Sequence, residues 1–470
     1  EQVQATLELS LLAVGLALTL GFLSAWCVTR CDFPGRRLCS VLLCMPFAIP
    51  SYLLAGLAVS ASYHPAVPSP EHVWGAGLIL GLTLYPWVYV PAKAAFITQS
   101  RHYDEIAVSL GMSPWQRFWR VHCWLLLPTA AVGALLVFMA VLNDYGTAQL
   151  LGVKTLSVGI HDAMFSMYRR DWAAQLALIG LALPILAVLV FSLLNARRAA
   201  YQPSNRGGAA PPQRISGLGR VAVYLFLGGL LLCSLVAPLG LLLRWAIAYL
   251  DRFPLDEMPG QIWDSLSVTL AVTAITLLLA ILLSILLRRR GDLRPWRRVS
   301  VLLNLNYAVP GIMLGIALLF ASAEMPGWLN TALLSNSVGL LVTGGCLAYL
   351  CFPFFSLQAG QASVSPDMDD LCRVLGIGGW RRLWRIDLPL LSRFIACGGL
   401  LVIVNMAKEL PLSLTLQPFG HLSLSMRLFT FAGVGMLEES AIYSLALIIL
   451  VTYPIVALDR MIMRQAHAAA

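Results

Sequence analysis

The stretch from Ala173 to Leu194 contains no Asp, Glu, Lys or Arg. A bilayer core about 30 Å thick takes roughly 20 apolar residues per spanning helix, so this stretch alone is long enough to cross. Similar runs lie near 3–28, 38–62, 73–98, 125–145, 221–249, 262–287, 299–323, 332–358, 394–413 and 439–458. About eleven spans are therefore expected. The runs show no two-residue alternation, so they read as helices and not as barrel strands. Of 470 residues only 12% are charged, against about a quarter in soluble domains, which excludes a soluble fold.

A net charge of +9 raises the question of nucleic acid, but the basic residues are distributed as a topology signal. Arg30, Arg36 and Arg37 share one side with Arg101, Arg117 and Arg120. The run from Arg197 to Arg220, the cluster Arg288 to Arg298, the group Arg373 to Arg393, and Arg460 and Arg464 fall on that side too. The opposite side holds Lys154, Arg169, Arg170, Arg252 and Arg427. By the positive-inside rule the richer side is cytoplasmic. The expected protein is a multi-pass inner-membrane protein in contact with lipid, with a cytoplasmic C-terminus and no nucleic-acid partner.

The ten cysteines form no C-x-x-C pair and lie mostly inside predicted spans, where they serve as small apolar packing. The seven histidines show no H-x-x-x-H spacing. His64, His72, His161 and His421 fall in or near outward loops and read as solvated polar residues; a weak metal contact is the alternative reading. No metal site is expected.

The chain repeats itself. LGMSPWQRFWRV near residue 110 recurs as LGIGGWRRLWRI near 375, which places Gly111, Trp115, Arg117, Trp119 and Arg120 on Gly376, Trp380, Arg382, Trp384 and Arg385. All five share an offset of 265, which also carries Asn143-Asp144 onto Lys408-Glu409. Nearer the start the offset is 260, matching Ile49-Pro50 with Val309-Pro310. The first unit is residues 1–196 and the second is 221–470. Residues 197–220, rich in Pro and Gly, read as a flexible cytosolic linker. The run 221–249 has no counterpart in the first unit, so one further N-terminal helix is expected, giving six plus six. Both units then run in the same direction and are expected to be related by a parallel pseudo-twofold.

The duplicated loops, about 104–128 and 369–389, carry the most information. Glu105 to Leu110 reads as a short helix ended by Gly111, which accepts a left-handed C-cap. Ser113 caps a second helix with Pro114 at its first position. Trp115, Phe118 and Trp119 form one stripe beside Arg117 and Arg120. The product is a two-helix elbow on the cytosolic face, and Asp370 to Ile386 repeats it. A single copy would read equally well as an interfacial aromatic anchor with snorkelling arginines; two copies in register favour paired contacts for a two-lobed partner.

These loops resemble the EAA motif of binding-protein-dependent ABC importer permeases. The second copy matches in spacing through Gly376, Ile386, Leu388 and Pro389, with Asp370-Leu371-Cys372 in place of E-A-A. The first has Glu105, Ala107, Gly111 and Val121, but Pro128 comes four residues late, so its helix start is displaced by a turn. DFPGRR from Asp32, PFAIPSYLLAG from Pro46, NDYGTAQLLG from Asn143 and AKELPLSL from Ala407 are similar to the fused permeases of the ferric-iron type. The resemblance implies an all-α membrane protein of two MetI-like units, each with five or six spans. It implies elbows that dock on two copies of a cytosolic ABC ATPase through Glu105, Ala107, Gly111, Ser113, Trp115, Arg117, Asp370, Gly376, Trp380 and Arg382. A periplasmic binding protein would deliver ferric iron; thiamine or phosphonate would suit the same architecture. The chain is then no enzyme and binds no cofactor, ATP and Mg being used by the ATPase. Its three lysines, Lys93, Lys154 and Lys408, never follow glycine, so it has no Walker A sequence.

Charged residues in spans are costly and are functional candidates by default. Asp144 and the Lys408-Glu409 pair, with Asn143, are candidates for the translocation path or for an internal ion pair. Asn304 and Asn306 are weaker candidates that interhelical hydrogen bonding explains as well. A secondary transporter with parallel repeats is the rival class.

Overall fold

A computed structural model describes residues 1–64, 68–99, 101–196, 213–215, 217–252, 256–289, 309–325, 337–362, 368, 371–372, 374–375, 377, 379–416 and 420–469. Among these, seven helices are long and apolar enough to cross a membrane: Gln2–Arg30, Arg170–Leu193, Leu218–Ala248, Met258–Leu286, Val338–Gln361, Leu383–Ala407 and Ala441–Met461. Three further runs are helix pairs bent at a break, which brings the total to ten.

Two of the bent pairs show breaks inside the expected spans 38–62 and 73–98, whereas the expected span 125–145 is one helix, Leu127–Asn143, and the third bend lies before it. Arg36–Ala48 and Ser51–Ser62 meet at 88°. Pro50 sits at the break, and Ile49 before it is extended (φ −87°, ψ 116°), because proline's ring excludes its predecessor from the helical region. Val73–Leu84 and Pro86–Ile97 bend by 40°, and Trp115–Leu125 and Leu127–Asn143 by 73°. Of the run 299–323, residues 299–308 lie outside the described set; Gly311–Glu324 is helical and follows the extended Pro310. So do 197–212 of the expected linker, whereas Gln213–Arg214 pairs in parallel with Cys31–Asp32.

By packing, the chain divides into two units: Glu1–Met258 with Leu424–Ala470, and Pro259–Ser423. In the first, the helix Gln2–Arg30 is central and packs on Val73–Leu84, Pro86–Thr98 and Leu127–Asn143. Its buried face carries Leu9, Ala13, Ala17, Gly21 and Ala25, a four-residue stripe of mostly small side chains that lets backbones approach. Gly77 and Gly81 reciprocate on the facing helix: a Cβ there would lie 2.8 Å from Leu12 Cβ and 2.6 Å from Leu16 Cδ2. This is the small-xxx-small packing of membrane helices.

The helix Ala441–Ala469 packs against Pro86–Thr98, Ala237–Ala248 and the turn Met45–Ala48 of the same unit. There Lys93 Nζ donates to Asp459 Oδ1 at 2.6 Å, with side chains only 2% and 6% exposed. Lys93 also lies 5.6 Å from the Tyr89 ring centroid, and Cys44 Sγ donates to the same Asp459 oxygen at 3.6 Å.

In the second unit, Cys351–Ala362 packs on Leu388–Ala407, and Gly311–Glu324 on Pro411–Thr415. Ala280, Phe354, Leu357 and Leu391 form its buried cluster. The first unit has the same two pairings, Pro86–Thr98 on Leu127–Asn143 and Ser51–Ser62 on Gly146–Leu150.

Removing one member of a buried ion pair leaves a stranded charge and costs about 3–5 kcal/mol, whereas removing both is close to neutral. Lys93→Met is therefore expected to lower the thermal unfolding midpoint of the detergent-solubilised protein, and Lys93→Met with Asp459→Leu to recover most of the loss. A single variant that melts with the wild type would refute this account.

Candidate functional site: paired elbows and acid-capped helices

The first elbow opens with the helix Arg101–Ser109. Gly111 ends it at φ +71°, with Met112 N donating to Ala107 O at 3.1 Å and Gly111 N to Val108 O at 2.9 Å. These two bonds close a Schellman motif, which needs the left-handed residue glycine supplies. Ser113 and Gln116 then exchange bonds, Ser113 N to Gln116 Oε1 at 3.0 Å and Gln116 N to Ser113 Oγ at 3.3 Å. This capping box starts the turn Pro114–Arg117.

The chain continues as a π turn, Phe118–His122. Trp115 stacks on Phe118 at 5.8 Å and meets Trp119 edge-on at 5.7 Å, and both tryptophans are about half exposed. Phe118 is buried and packs edge-on against Trp26 at 5.4 Å. Glu105 is exposed. Arg117 and Ala107 are buried, so Arg117 is packed into the elbow and is not a solvated snorkelling group.

A buried polar strut joins the elbow to two membrane helices. Arg30, in the last turn of the first helix, donates from Nη2 to Gln99 Oε1 at 2.8 Å and to Phe96 O at 3.3 Å. His122 Nδ1 lies 2.9 Å from the same Gln99 oxygen. An amide oxygen only accepts, so the proton is assigned to Nδ1. The strut thus ties the end of the π turn to the ends of Gln2–Arg30 and Pro86–Thr98.

The second elbow repeats the turn Gly379–Arg382 and the π turn Leu383–Asp387, each shifted by 265 from its counterpart. Its π turn ends in Asp387, whose Oδ2 lies 3.4 Å from Arg382 Nε. Ile377 N donates to Cys372 O at 3.0 Å, matching the Met112–Ala107 bond. Leu388–Ala407 follows at once with Pro389 in its first turn. In the first copy a short turn, Cys123–Leu125, intervenes before Leu127–Asn143, which carries Pro128 in its first turn. The span therefore starts about one turn later there, as the position of Pro128 requires. Asp370 and Gly376 lie outside the described residues, as do Asn304, Asn306 and the side chain of Trp380.

Beyond each span an acid caps a short helix. Asp144 Oδ1 accepts from Thr147 N at 3.0 Å and Ala148 N at 3.3 Å, and Oδ2 accepts from Thr147 Oγ1 at 2.9 Å. Gly146–Leu150 is the helix so capped. At an offset of 265, Glu409 Oε1 accepts from Leu412 N at 3.0 Å and starts Pro411–Thr415. The lateral partners differ. Ser51 Oγ donates to Asp144 Oδ2 at 2.7 Å, whereas Gly311 stands at the matching place in the second copy and Tyr349 Oη donates to Glu409 Oε2. Glutamate is one methylene longer and reaches a different helix for the donor that glycine lacks. Asn143 and Lys408 occupy equivalent half-buried positions before the acids.

The sequence reading missed Ser51, Tyr349, Gln99 and His122. The proline match at 49–50 and 309–310 pointed at the next residue, but only the fold brings Ser51 to Asp144 across 93 positions.

The duplicated span, elbow and capped helix define a helical membrane protein with an internal repeat. Residues 17–200 match the family described as "Binding-protein-dependent transport system inner membrane component". Over 452 residues, 94% of this chain and 86% of the relative, the sequence is 22% identical to the Fe(3+)-transport system permease protein FbpB 2 of Haemophilus influenzae. It is 23% identical to a putative 2-aminoethylphosphonate transport system permease protein of Salmonella typhi, over 52% of this chain and 97% of that one. A sulfate transport system permease protein of Escherichia coli is 33% identical over 31% of this chain and 54% of its own. Residues 17–200 thus carry a domain of the binding-protein-dependent transport type, and the chain is similar along nearly its whole length to inner-membrane permease subunits, which are translocation components and not enzymes.

A hydrogen bond to a carboxylate contributes about 1.5–3 kcal/mol. Ser51→Ala is expected to destabilise the protein by that order, and Asp144→Ala by more, since it also frees the Thr147 and Ala148 amides. Thermal unfolding of the purified variants measures both, and equal melting of the two would contradict the bracing role.

Proposed function

We propose that the chain is the translocation subunit of an ATP-driven importer of ferric iron. The observation that carries the motor part of this reading is the recurrence, at one offset, of an elbow, a π turn, a span and an acid-capped helix. Two such elbows suit two copies of a cytosolic ATPase. ATP and Mg are used there, and this chain binds no cofactor. Each elbow presents exposed aromatic rings to a partner while its π turn is locked to the span behind it. A push on Trp115 and Trp119 therefore reaches Phe118, the strut and the membrane helices without an intervening flexible joint. Glu105, Ser113 and Arg117 shape the first elbow; Asp370, Gly376, Trp380 and Arg382 are assigned the same work in the second.

The elbows lie at the cytoplasmic side, and the C-terminus with them, in line with the arginine distribution. Leu127–Asn143 has 17 residues and so rises about 25 Å, which puts Asn143 and Asp144 a membrane depth away, near the outward side where a periplasmic binding protein delivers its load. Asp144, Lys408 and Glu409 act there by fixing the bends that border the path.

Likeness over nearly the whole chain to a ferric permease supports iron as the solute. A second reading, a phosphonate, is favoured by the relative that this chain covers almost end to end in half its own length; thiamine is the third arm of the test. Vesicles carrying the chain, the ATPase and the binding protein are offered labelled ferric iron, 2-aminoethylphosphonate and thiamine. Iron uptake that stops on ATP depletion with the proton gradient intact is expected. Uptake that survives depletion would place the chain among secondary transporters.

Gly111→Val forces a β-branched residue into the left-handed region at roughly 1–2 kcal/mol, with no atom within 4 Å to clash. The variant is expected to insert normally and retain ATP hydrolysis while uptake falls by about tenfold, the equivalent of about 1.4 kcal/mol. Wild-type uptake per ATP in that variant would remove the elbow from the mechanism.

A further inference from the structure

Two oxygen donors flank one imidazole nitrogen at the end of the first repeat opposite its elbow. Tyr145 follows the bracing Asp144, and its Oη lies 3.3 Å from His161 Nδ1. His161 ends the helix Leu156–His161, and Asp162 opens the π turn Asp162–Ser166. Asp162 Oδ1 is 3.7 Å from the same imidazole nitrogen. Donor atoms around a first-row metal stand about 3–3.4 Å apart, given bonds of about 2.1 Å, and both oxygens stand at or near that separation from the imidazole nitrogen. Among the described residues no three His, Cys, Asp or Glu side chains group in this way; the third donor here is a phenol.

The surroundings suit an ion that arrives and leaves. The Tyr145 residue is 4% exposed, but the His161 and Asp162 side chains are 24% and 40% exposed, so one side of the trio is open to solvent. Phe165 packs on His161 at 5.0 Å and Phe429 on Tyr145 at 5.8 Å, forming apolar walls behind the donors. The fold does not require the trio. At the same offset of 265, Leu410 stands for Tyr145, Met426 for His161 and Arg427 for Asp162. Arg427 there lies 5.4 Å from the Phe431 ring centroid, so that copy presents a cation of its own.

We propose that Tyr145, His161 and Asp162 form a transit site for a partly hydrated ferric ion at the outward mouth. This deepens the iron reading above and rests on it. A phenolate oxygen and a carboxylate oxygen are hard donors suited to a trivalent ion, and imidazole also suits iron. On binding, the Tyr145 phenol gives its proton to water and its oxygen takes the metal; the oxidation state of iron does not change. Three protein ligands with water in the remaining positions hold the ion while leaving it exchangeable.

The test uses the full chain in detergent, titrated with ferric nitrilotriacetate and read by absorbance. A visible tyrosinate-to-iron charge-transfer band saturating at one ion per chain is expected. Tyr145→Phe should abolish it, His161→Ala and Asp162→Asn should weaken binding at least tenfold, and Tyr168→Phe, at a nearby exposed tyrosine, should leave it unchanged. Absence of the band in the wild type, or its persistence in Tyr145→Phe, overturns the site. Uptake in vesicles separates the two claims: ferric uptake without a band removes the site and keeps iron as the solute. Phosphonate uptake without ferric uptake removes the iron reading and the transit role with it.

Discussion

A helix that stops in apolar surroundings leaves amide and carbonyl groups that no water can satisfy. Each repeat contains such a stop, where the span after the elbow gives way to a five-residue helix. Asp144 and Glu409 resolve it in the same manner, accepting the amide three residues ahead while a hydroxyl from another helix holds the second oxygen. With that cap in place the bend is a defined element.

The duplication does not make the repeats equivalent. The first elbow is tied through His122 and Gln99 to Arg30, and so to two spans. In the second, Asp387 at the corresponding place turns back on Arg382 of its own elbow. Asp144 finds Ser51, whereas Glu409 finds Tyr349. Each substitution in one repeat is matched by a change of reach or of partner, so the geometry of bend and cap persists while the chemistry around it drifts.

Much of this was legible in the residues. The 265 offset places both π turns and both capped helices in register, and Gly111, Ser113 and Pro114 spelled out the elbow. Pro128, four residues late, gave the displaced span start. Straightness was not legible, because hydropathy registers an apolar run regardless of the break that Pro50 makes within it. Nor were contacts across long separations, such as Ser51 with Asp144 or Tyr349 with Glu409, since composition reports that a group is buried but not what it meets. His421 was read as solvated, yet it is buried, with Nδ1 3.6 Å from Asp264.

The pairing of Lys93 with Asp459 spans 366 residues, nearly the length of the chain. At synthesis rates of about 5–20 residues per second, the lysine waits roughly 20–70 s in its nascent helix before the aspartate is made. During that interval Lys93 is without its carboxylate partner, and only completion of the last helix supplies it. A polypeptide truncated before Asp459 would leave Lys93 without this partner, so the two ends of the chain are tied by a contact that only the completed chain can make.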